Sequence, residues 1–439
     1  MAIKETDIQI AICGSAGDGT IAAGSILKHA MANAGYRVIA FDTYPAEIRG
    51  FGKCIARVRI TSEPVYSLKA KSDVLISLND SHAIPHVGEV RNFGAVIYES
   101  APITALAEGE HISGHIRPGQ LPYGIAVRAI SERATGANRS RNLVVLGFLA
   151  GHYKMPCEFF RDAIASKLGT KGNNVIQNSV AAFDAGVEEA RGSYRFDQVK
   201  LNDPPPRTAR EVAILTGNEA VVRGCLDAGI DAYFGYPITP ATTIMEGLAK
   251  ELPKRGKRML QTEDEIAAIS ATIGAGYAGA RAATATSGPG LALMAEMLGL
   301  GVMAEVPAVI IVSQRGGPST GMPTKTEQSD LNMAVFGGAG DAQRIVLAPT
   351  SVEGCYYCAG KAFEIAETYQ TPVIVLLDLY LSNRFESVMF SEERGFNLNA
   401  GKRFQKPGGK RYRRFEITST GISPRAIPGQ PGGIDGDSL

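Results

Sequence analysis

Ala232-Tyr233-Phe234-Gly235-Tyr236-Pro237-Ile238-Thr239-Pro240 is a short apolar strand that runs into a turn held between two prolines. Each proline fixes its own φ near about −65° and pushes the residue before it toward extended geometry. The backbone from Tyr236 to Pro240 is therefore close to rigid, and the Thr239 hydroxyl is aimed. Two readings fit such a turn. The hydroxyl is placed to hydrogen-bond a small ligand, or the threonine caps an ordinary strand-to-helix turn.

The neighbouring stretches bear on that choice. Upstream, Val212 to Thr216 reads as a strand, and Gly217-Asn218-Glu219-Ala220 opens a helix that ends near Gly229. Downstream, Glu263, Asp264 and Glu265 precede a helix rich in alanine and glycine. Acidic side chains complement the positive end of a helix, but three in a row exceed what a cap needs. Glu265 also lies one position before an apolar helix face, where a carboxylate requires a partner. Ala283 to Thr286 is a strand of small residues closing on Ser287-Gly288-Pro289-Gly290, and Pro307 to Ser313 is a buried-strand run ending at Gln314-Arg315-Gly316-Gly317. In parallel α/β sheets ligands bind beyond the carboxyl ends of the strands. Three strands of this half end in polar loops, carrying Thr239, Ser287 and Arg315, and that convergence argues for a site.

Composition bounds the rest. The 439 residues suffice for roughly two to three domains, and 45% apolar with 20% charged residues is ordinary globular usage. A net charge of +1 gives no electrostatic case for nucleic acid or an anionic membrane. No run approaches roughly 18 apolar residues, and Met1 to Gln9 is too polar for a signal peptide, so a cytoplasmic location is expected. Cys355 and Cys358, the closely spaced pair among six cysteines, lie in a helical pattern and read as packing rather than redox or metal ligands. All six histidines precede residue 153, so the second half has no Ser-His-Asp triad and no histidine metal ligand. Chemistry there requires a cofactor.

In the first half, Gln9 to Cys13 is a buried-strand pattern leading into Gly14-Ser15-Ala16-Gly17-Asp18-Gly19-Thr20. A helix from Ile21 to Ala34 and a strand from Arg37 to Phe41 complete a βαβ pattern. Amides of such a turn, facing a helix N-terminus, favour phosphate or another anion; a tight turn without ligand reads equally well. The spacing departs from the dinucleotide fingerprint and has no P-loop lysine. Arg49, beside Gly50, is either a carboxylate or phosphate contact or a surface arginine. Strands at Val74 to Leu78 and Ala95 to Tyr98 and helices at Leu143 to His152 and Asn178 to Ala190 predict a full α/β domain with helices on both faces of its sheet. Pro204, Pro205 and Pro206 break the pattern. The expected organisation is a domain over 1–195, a linker over 196–211, a second domain over 212–390 and a partial extension over 391–439, the last too poor in apolar residues for a core of its own.

Taken together and in order, GNEA, YPITP, TEDEIAAI, TSGPG and QRGGPSTGMPTKTEQSDL make residues 211–390 resemble the thiamine-pyrimidine domain of the 2-oxoacid:ferredoxin oxidoreductases. GSAGDGT and AEIRGFG make the first 195 residues resemble the γ domain of the same enzymes, fused ahead of the α chain as in 2-oxoglutarate-type members. The resemblance implies an α/β fold with a mainly parallel sheet in the thiamine domain. It implies oxidative decarboxylation of a 2-oxoacid, preferably 2-oxoglutarate, to an acyl-CoA with electrons passed to ferredoxin, or the reverse carboxylation. Pyruvate or a branched-chain 2-oxoacid is the alternative substrate, and a non-catalytic assembly subunit the alternative role.

By the same resemblance, Glu265 is the glutamate that hydrogen-bonds the aminopyrimidine of thiamine diphosphate, with Glu263 as the other candidate. Thr239 and Arg315 contact the carboxylate and keto oxygen of the 2-oxoacid, while Tyr236 and Ile238 shape the pocket wall. Pro237, Thr286, Ser287 and Gly288 line the cofactor. Gly14, Gly17, Gly19 and Arg49 are candidate contacts for coenzyme A. The diphosphate with its Mg²⁺ and the iron–sulfur cluster are expected on a separate β subunit, in an (αβ)2 assembly, so this chain alone should be inactive. Family α chains continue well past the ISPRAIPGQPGG stretch, which implies a truncation or a lineage loss here.

Overall fold

Along Ile8 to Cys13 every side chain is buried, and successive residues of a strand point to opposite faces, so this strand needs cover on both. The computed structural model describes residues 6–43, 52–101, 111–191, 201, 212–390, 395–397, 401 and 412–433. The chain divides into two units, Met1–Ile214 with Arg384–Phe390, and Leu215–Asn383 with Ser391–Leu439.

The first unit is built on strands β1 (Asp7–Ser15), β2 (Arg37–Thr43), β3 (Lys53–Thr61), β4 (Ser72–Ser77), β5 (Val90–Glu99), β6 (Leu121–Ile125) and β7 (Val212–Thr216). Their order is β6-β5-β4-β1-β3-β2, followed by the late strand Phe385–Met389 and then β7. The helix Thr20–Asn33 joins β1 to β2 as the βαβ pattern predicts, but β3 is inserted between them, antiparallel to both. Val212–Thr216, expected to open the second domain, is the edge strand of this sheet.

Cover on the two faces is unequal. Ile8, Ile10, Ile12, Val58, Ile76 and Ile97 share one core with the long helices, including Arg141–His152 and Asn173–Arg191. On the other face Ala11, Cys13, Leu75 and Val96 meet, among the described residues, side chains such as Ala83, Ile84, Val87 and Ile112 from short helical turns. The expectation of helices on both faces holds in this reduced form. Between β4 and β5 the chain uses only short turns of helix, Asp80–Ala83 and Ile84–Glu89, the second opened by Pro85.

Helices Arg141–His152 and Asn173–Arg191 cross with glycine on each side. A Cβ on Gly147 would collide with the Phe183 carbonyl, and one on Gly186 with the Val144 carbonyl. Gly186→Ala or Gly147→Ala therefore forces the helices apart, at about 1–3 kcal/mol of stability. Thermal unfolding of the chain reads this directly, and an unshifted midpoint would contradict the close crossing.

The second unit is a sheet of β8 (Ala232–Gly235), β9 (Arg258–Gln261), β10 (Ala282–Thr286), β11 (Ala308–Gln314), β12 (Ile345–Leu347) and β13 (Pro372–Asp378), in the order β12-β13-β11-β10-β8-β9. Every neighbouring pair is parallel. Its inner strands β11 and β13 read as near-continuous apolar runs because they are covered on both faces, whereas the edge strand β9 is largely exposed. The chain then returns to the first sheet as β14 (Phe385–Met389). Among the described residues no helix is long and apolar enough to cross a membrane.

The described part of the C-terminal extension packs on the second unit. Arg425 donates to the Gly276 carbonyl at 2.7 Å and to Glu367 Oε2 at 2.9 Å, with both charged side chains 4% exposed. Removing one member of such a pair leaves the other charge buried, which costs about 3–5 kcal/mol. Arg425→Ala should lower the unfolding midpoint accordingly, and Arg425→Ala with Glu367→Ala together should cost less than the two single effects summed. Strict additivity would show that the two side chains are not coupled.

Candidate active site

Because β11, β10, β8 and β9 are adjacent and parallel, whatever follows each of them lies on one edge of the sheet. That edge receives Tyr236–Pro240 after β8, Thr262–Glu265 after β9, Ser287–Gly290 after β10 and Arg315–Asp330 after β11. The loops singled out in the sequence are thus brought together by strand order.

Arg315 ties two of them. Its Nη1 donates to the Thr239 carbonyl at 2.6 Å and its Nη2 to the Thr320 carbonyl at 2.7 Å, while Nε is buried without a partner. Burial lowers the pKa of the guanidinium, and the charge of Glu265 pulls it back up. The turn itself is held from below by Asn218, whose Nδ2 donates to the Pro240 carbonyl and to Thr243 Oγ1, both at 2.8 Å. Thr239 and Tyr236 are exposed at the edge, and Pro237 and Ile238 are half-buried. The Thr239–Pro240 peptide is cis.

The three consecutive acids separate into distinct roles. Glu263 is exposed. Asp264 caps the helix Glu265–Tyr277, accepting from the Ala267 amide at 2.7 Å. Glu265 is 7% exposed and is packed against the bare face of Gly290. A Cβ added there would lie 2.7 Å from its Cγ and 2.9 Å from its Oε1, and would collide with Thr286 Oγ1. Beside it Ser287 is fully buried, and its hydroxyl has no partner. Across Gly288, where a Cβ would lie 2.5 Å from Asp330 Oδ2, sits a carboxyl whose pKa is raised by burial and by Glu327.

A buried carboxyl and an unpartnered buried hydroxyl, brought close by glycines that leave room for Glu265 and Asp330, fit the hydrogen-bonding edge of the aminopyrimidine half of thiamine diphosphate. Asn218 and Asp330 escape the sequence reading. Asn218 lies in a helix-opening stretch where asparagine is ordinary, and Asp330 reads as a cap before the helix Leu331–Phe336 until the loop folds back.

The glycine-rich turn of the first unit is partly self-satisfied. Ser15 N donates to Asp18 Oδ2 at 2.7 Å, Ala16 N to the Gly52 carbonyl at 3.0 Å and Asp18 N to the Ser15 carbonyl at 3.1 Å. Gly17 and Gly19 have positive φ, a conformation that side chains disfavour. The helix begins at Thr20 without a side-chain cap, and Thr20 Oγ1 is buried without a partner. A Cβ on Gly14 would collide with that oxygen. Ser15 Oγ lies 3.2 Å from His82 Nδ1 and accepts from Asn79 Nδ2 at 3.2 Å. Arg49 lies outside the described residues.

Both halves of the chain are similar to known proteins. Residues 223–434 match the family model "Pyruvate flavodoxin/ferredoxin oxidoreductase, thiamine diP-bdg", and residues 9–189 match "Pyruvate ferredoxin/flavodoxin oxidoreductase". The chain is 34% identical to the α subunit of 2-oxoacid:ferredoxin oxidoreductase 2 of Aeropyrum pernix, covering 96% of this chain and 73% of that one. It is 32% identical to the 2-oxoglutarate oxidoreductase subunit KorA of Mycobacterium tuberculosis, covering 97% and 68%. Among solved structures, the 2-oxoglutarate:ferredoxin oxidoreductase of Magnetococcus marinus, with 2-oxoglutarate, coenzyme A and succinyl-CoA bound, superposes with a TM-score of 0.90 at 36% identity, covering 98% and 73%. On this evidence the chain belongs to the α subunits of the thiamine-diphosphate-dependent 2-oxoacid:ferredoxin oxidoreductases.

Proposed function

We propose that this chain is the γα subunit of an enzyme that oxidatively decarboxylates 2-oxoglutarate to an acyl-CoA, or runs the reverse carboxylation, with ferredoxin as electron partner. The observation that carries the reading is the placement of a buried glutamate and a buried arginine on one edge of a parallel sheet, each against a strand-end turn. Bound thiamine diphosphate supplies the nucleophilic carbon and the electron sink. Glu265 holds and moves the proton at the pyrimidine ring nitrogen, as a carboxyl confined in a mostly dry site can. Pro237, Thr286, Ser287 and Gly288 line the ring.

Arg315 clamps the 2-oxoacid carboxylate with the N–H groups its two carbonyl bonds leave over, and the Thr239 hydroxyl orients the keto oxygen. Tyr236 and Ile238 form the wall. The turn at Gly14, Gly17 and Gly19, with Arg49, is the proposed coenzyme A contact. The diphosphate, Mg²⁺ and the iron–sulfur cluster are assigned to a β subunit in an (αβ)2 complex in the cytoplasm, because the scattered cysteines of this chain lack cluster spacing. The test is coenzyme A-dependent ferredoxin reduction by the complete enzyme with 2-oxoglutarate and with pyruvate. The expected kcat/KM favours 2-oxoglutarate, and a preference for pyruvate would replace it with the alternative substrate.

A further inference from the structure

The helices Glu265–Tyr277, Gly288–Leu293, Ala295–Met303 and Leu331–Phe336 share one core against β11 and β13, through Ile269, Leu291, Leu298 and Ala334. Their outward sides are apolar too. Ile266, Tyr277, Leu293, Leu300, Met303 and Phe336 are all exposed, the last two by 80% and 79%. The four helices carry two charged side chains between them, Glu265 in the site and Glu296. A helix facing solvent carries a polar stripe, and a large exposed apolar patch marks contact with another body. The other long helices of the unit behave normally. Gly217–Asp227, Thr242–Glu251 and Val352–Tyr369 pack against one another, and among the described residues they expose one large apolar side chain, Tyr369 at a helix end.

Glycine gives an independent sign. Gly276, Gly290 and Gly301 of these helices are explained from inside the chain, since a Cβ there would strike the Pro307 carbonyl, Thr286 Oγ1 and the Pro372 ring. Gly274 and Gly299 are not explained in that way: a Cβ on either meets nothing within 4 Å. Glycine inside a helix is destabilising relative to alanine, and no neighbour in this chain requires it at these two positions. Gly274 shares the outward side of its helix with Ile266 and Tyr277, and Gly299 lies beside Leu300 on the side that carries Met303. The two helices adjoin, because a Cβ on Gly301 would lie 3.3 Å from Ile273 Cδ1. Bare backbone set between bulky apolar side chains admits a second helix at close range.

The patch is continuous with the candidate site. Ile266 follows Glu265 directly, and two of the other helices begin at Gly288 and Leu331, each at a turn of that site. A body seated on the patch therefore also reaches the cofactor edge. With Glu296 as the charge on its outward sides, the patch suits an uncharged apolar face. We propose that it is the seat of the subunit that completes the cofactor site, with a helix of that subunit lying over Gly274 and Gly299. This rests on the reading, given under the proposed function, that a separate β subunit holds the diphosphate.

The test places Gly274→Leu, Gly299→Leu and Met303→Glu in the full chain. It measures the unfolding midpoint of the chain alone and its affinity for the β subunit in competition with wild type. Ala249→Leu, at an exposed position of the helix Thr242–Glu251, is the control. The two leucine variants should keep or raise the midpoint, since the space is open and leucine favours helix over glycine. Their affinity for the β subunit should fall by about tenfold or more, because the added side chain holds the surfaces apart. Met303→Glu should weaken association as well, and the control should change neither quantity. A midpoint that falls together with the affinity in the leucine variants would return the glycines to internal packing and overturn the inference. Unchanged affinity in all three variants overturns it alone, and a loss of self-association instead would assign the patch to a second copy of this chain. A wild-type chain that binds no β subunit overturns the half-site reading and the inference with it.

Discussion

Glu265→Gln is expected to lower kcat of the complete enzyme by about 10²–10⁴-fold, the range over which a positioned proton-transfer group acts. The amide is nearly isosteric, so packing against Gly290 and Thr286 is kept, and what is lost is the ability to take and release a proton. Glu263→Gln is the matched control. Glu263 is exposed, and its neighbour Asp264 already caps the helix, so its removal should change kcat little. Steady-state turnover with ferredoxin as acceptor separates the two variants. Unchanged turnover in Glu265→Gln would sink the catalytic reading and leave the chain as an assembly subunit.

Arg315→Ala is expected to have the largest effect on substrate capture, about 2–5 kcal/mol in kcat/KM, or roughly 30- to several-thousand-fold. Two losses combine. The carboxylate loses its clamp, and the Thr239 and Thr320 carbonyls lose the guanidinium that joins their loops. Arg315→Lys should recover little, because one ammonium cannot reproduce the planar fork that spans both carbonyls. Limited proteolysis provides an independent reading: the exposed residues 318–329 should be cut faster in Arg315→Ala once Thr320 is released. An intact apparent affinity for 2-oxoacids would refute the clamp. Complete rescue by lysine would show that charge alone, without geometry, accounts for binding.

The elements of both units are legible from local pattern. The run Ala308 to Val312 is apolar throughout and forms a buried parallel strand, and the acid-to-alanine transition at Glu265 marks a helix start. Boundaries moved where a pattern is ambiguous over a few residues. The helical stretch that follows the Ser287–Gly290 turn is two consecutive helices, Gly288–Leu293 and Ala295–Met303, a break that the apolar pattern from Leu291 onward does not mark. The insertion of β3 between β1 and β2 was hidden, because nothing local distinguishes an antiparallel neighbour from a parallel one.

By itself the sequence determined what depends on backbone preference over a few residues. It set the stiffness of the Tyr236–Pro240 turn through its two prolines, the strand-turn-helix repeats, and the presence of an acidic trio and a loop-borne arginine. Only the tertiary structure decided which of the three acids is buried, because burial of Glu265 depends on Gly290, which is distant in the chain. The same holds for Arg315, which reaches Thr239 across 76 residues because the order β11-β10-β8 makes their strand ends neighbours. Proline geometry acts within a residue or two, whereas strand order is settled by pairing across the whole unit, and the candidate site exists only where the two coincide.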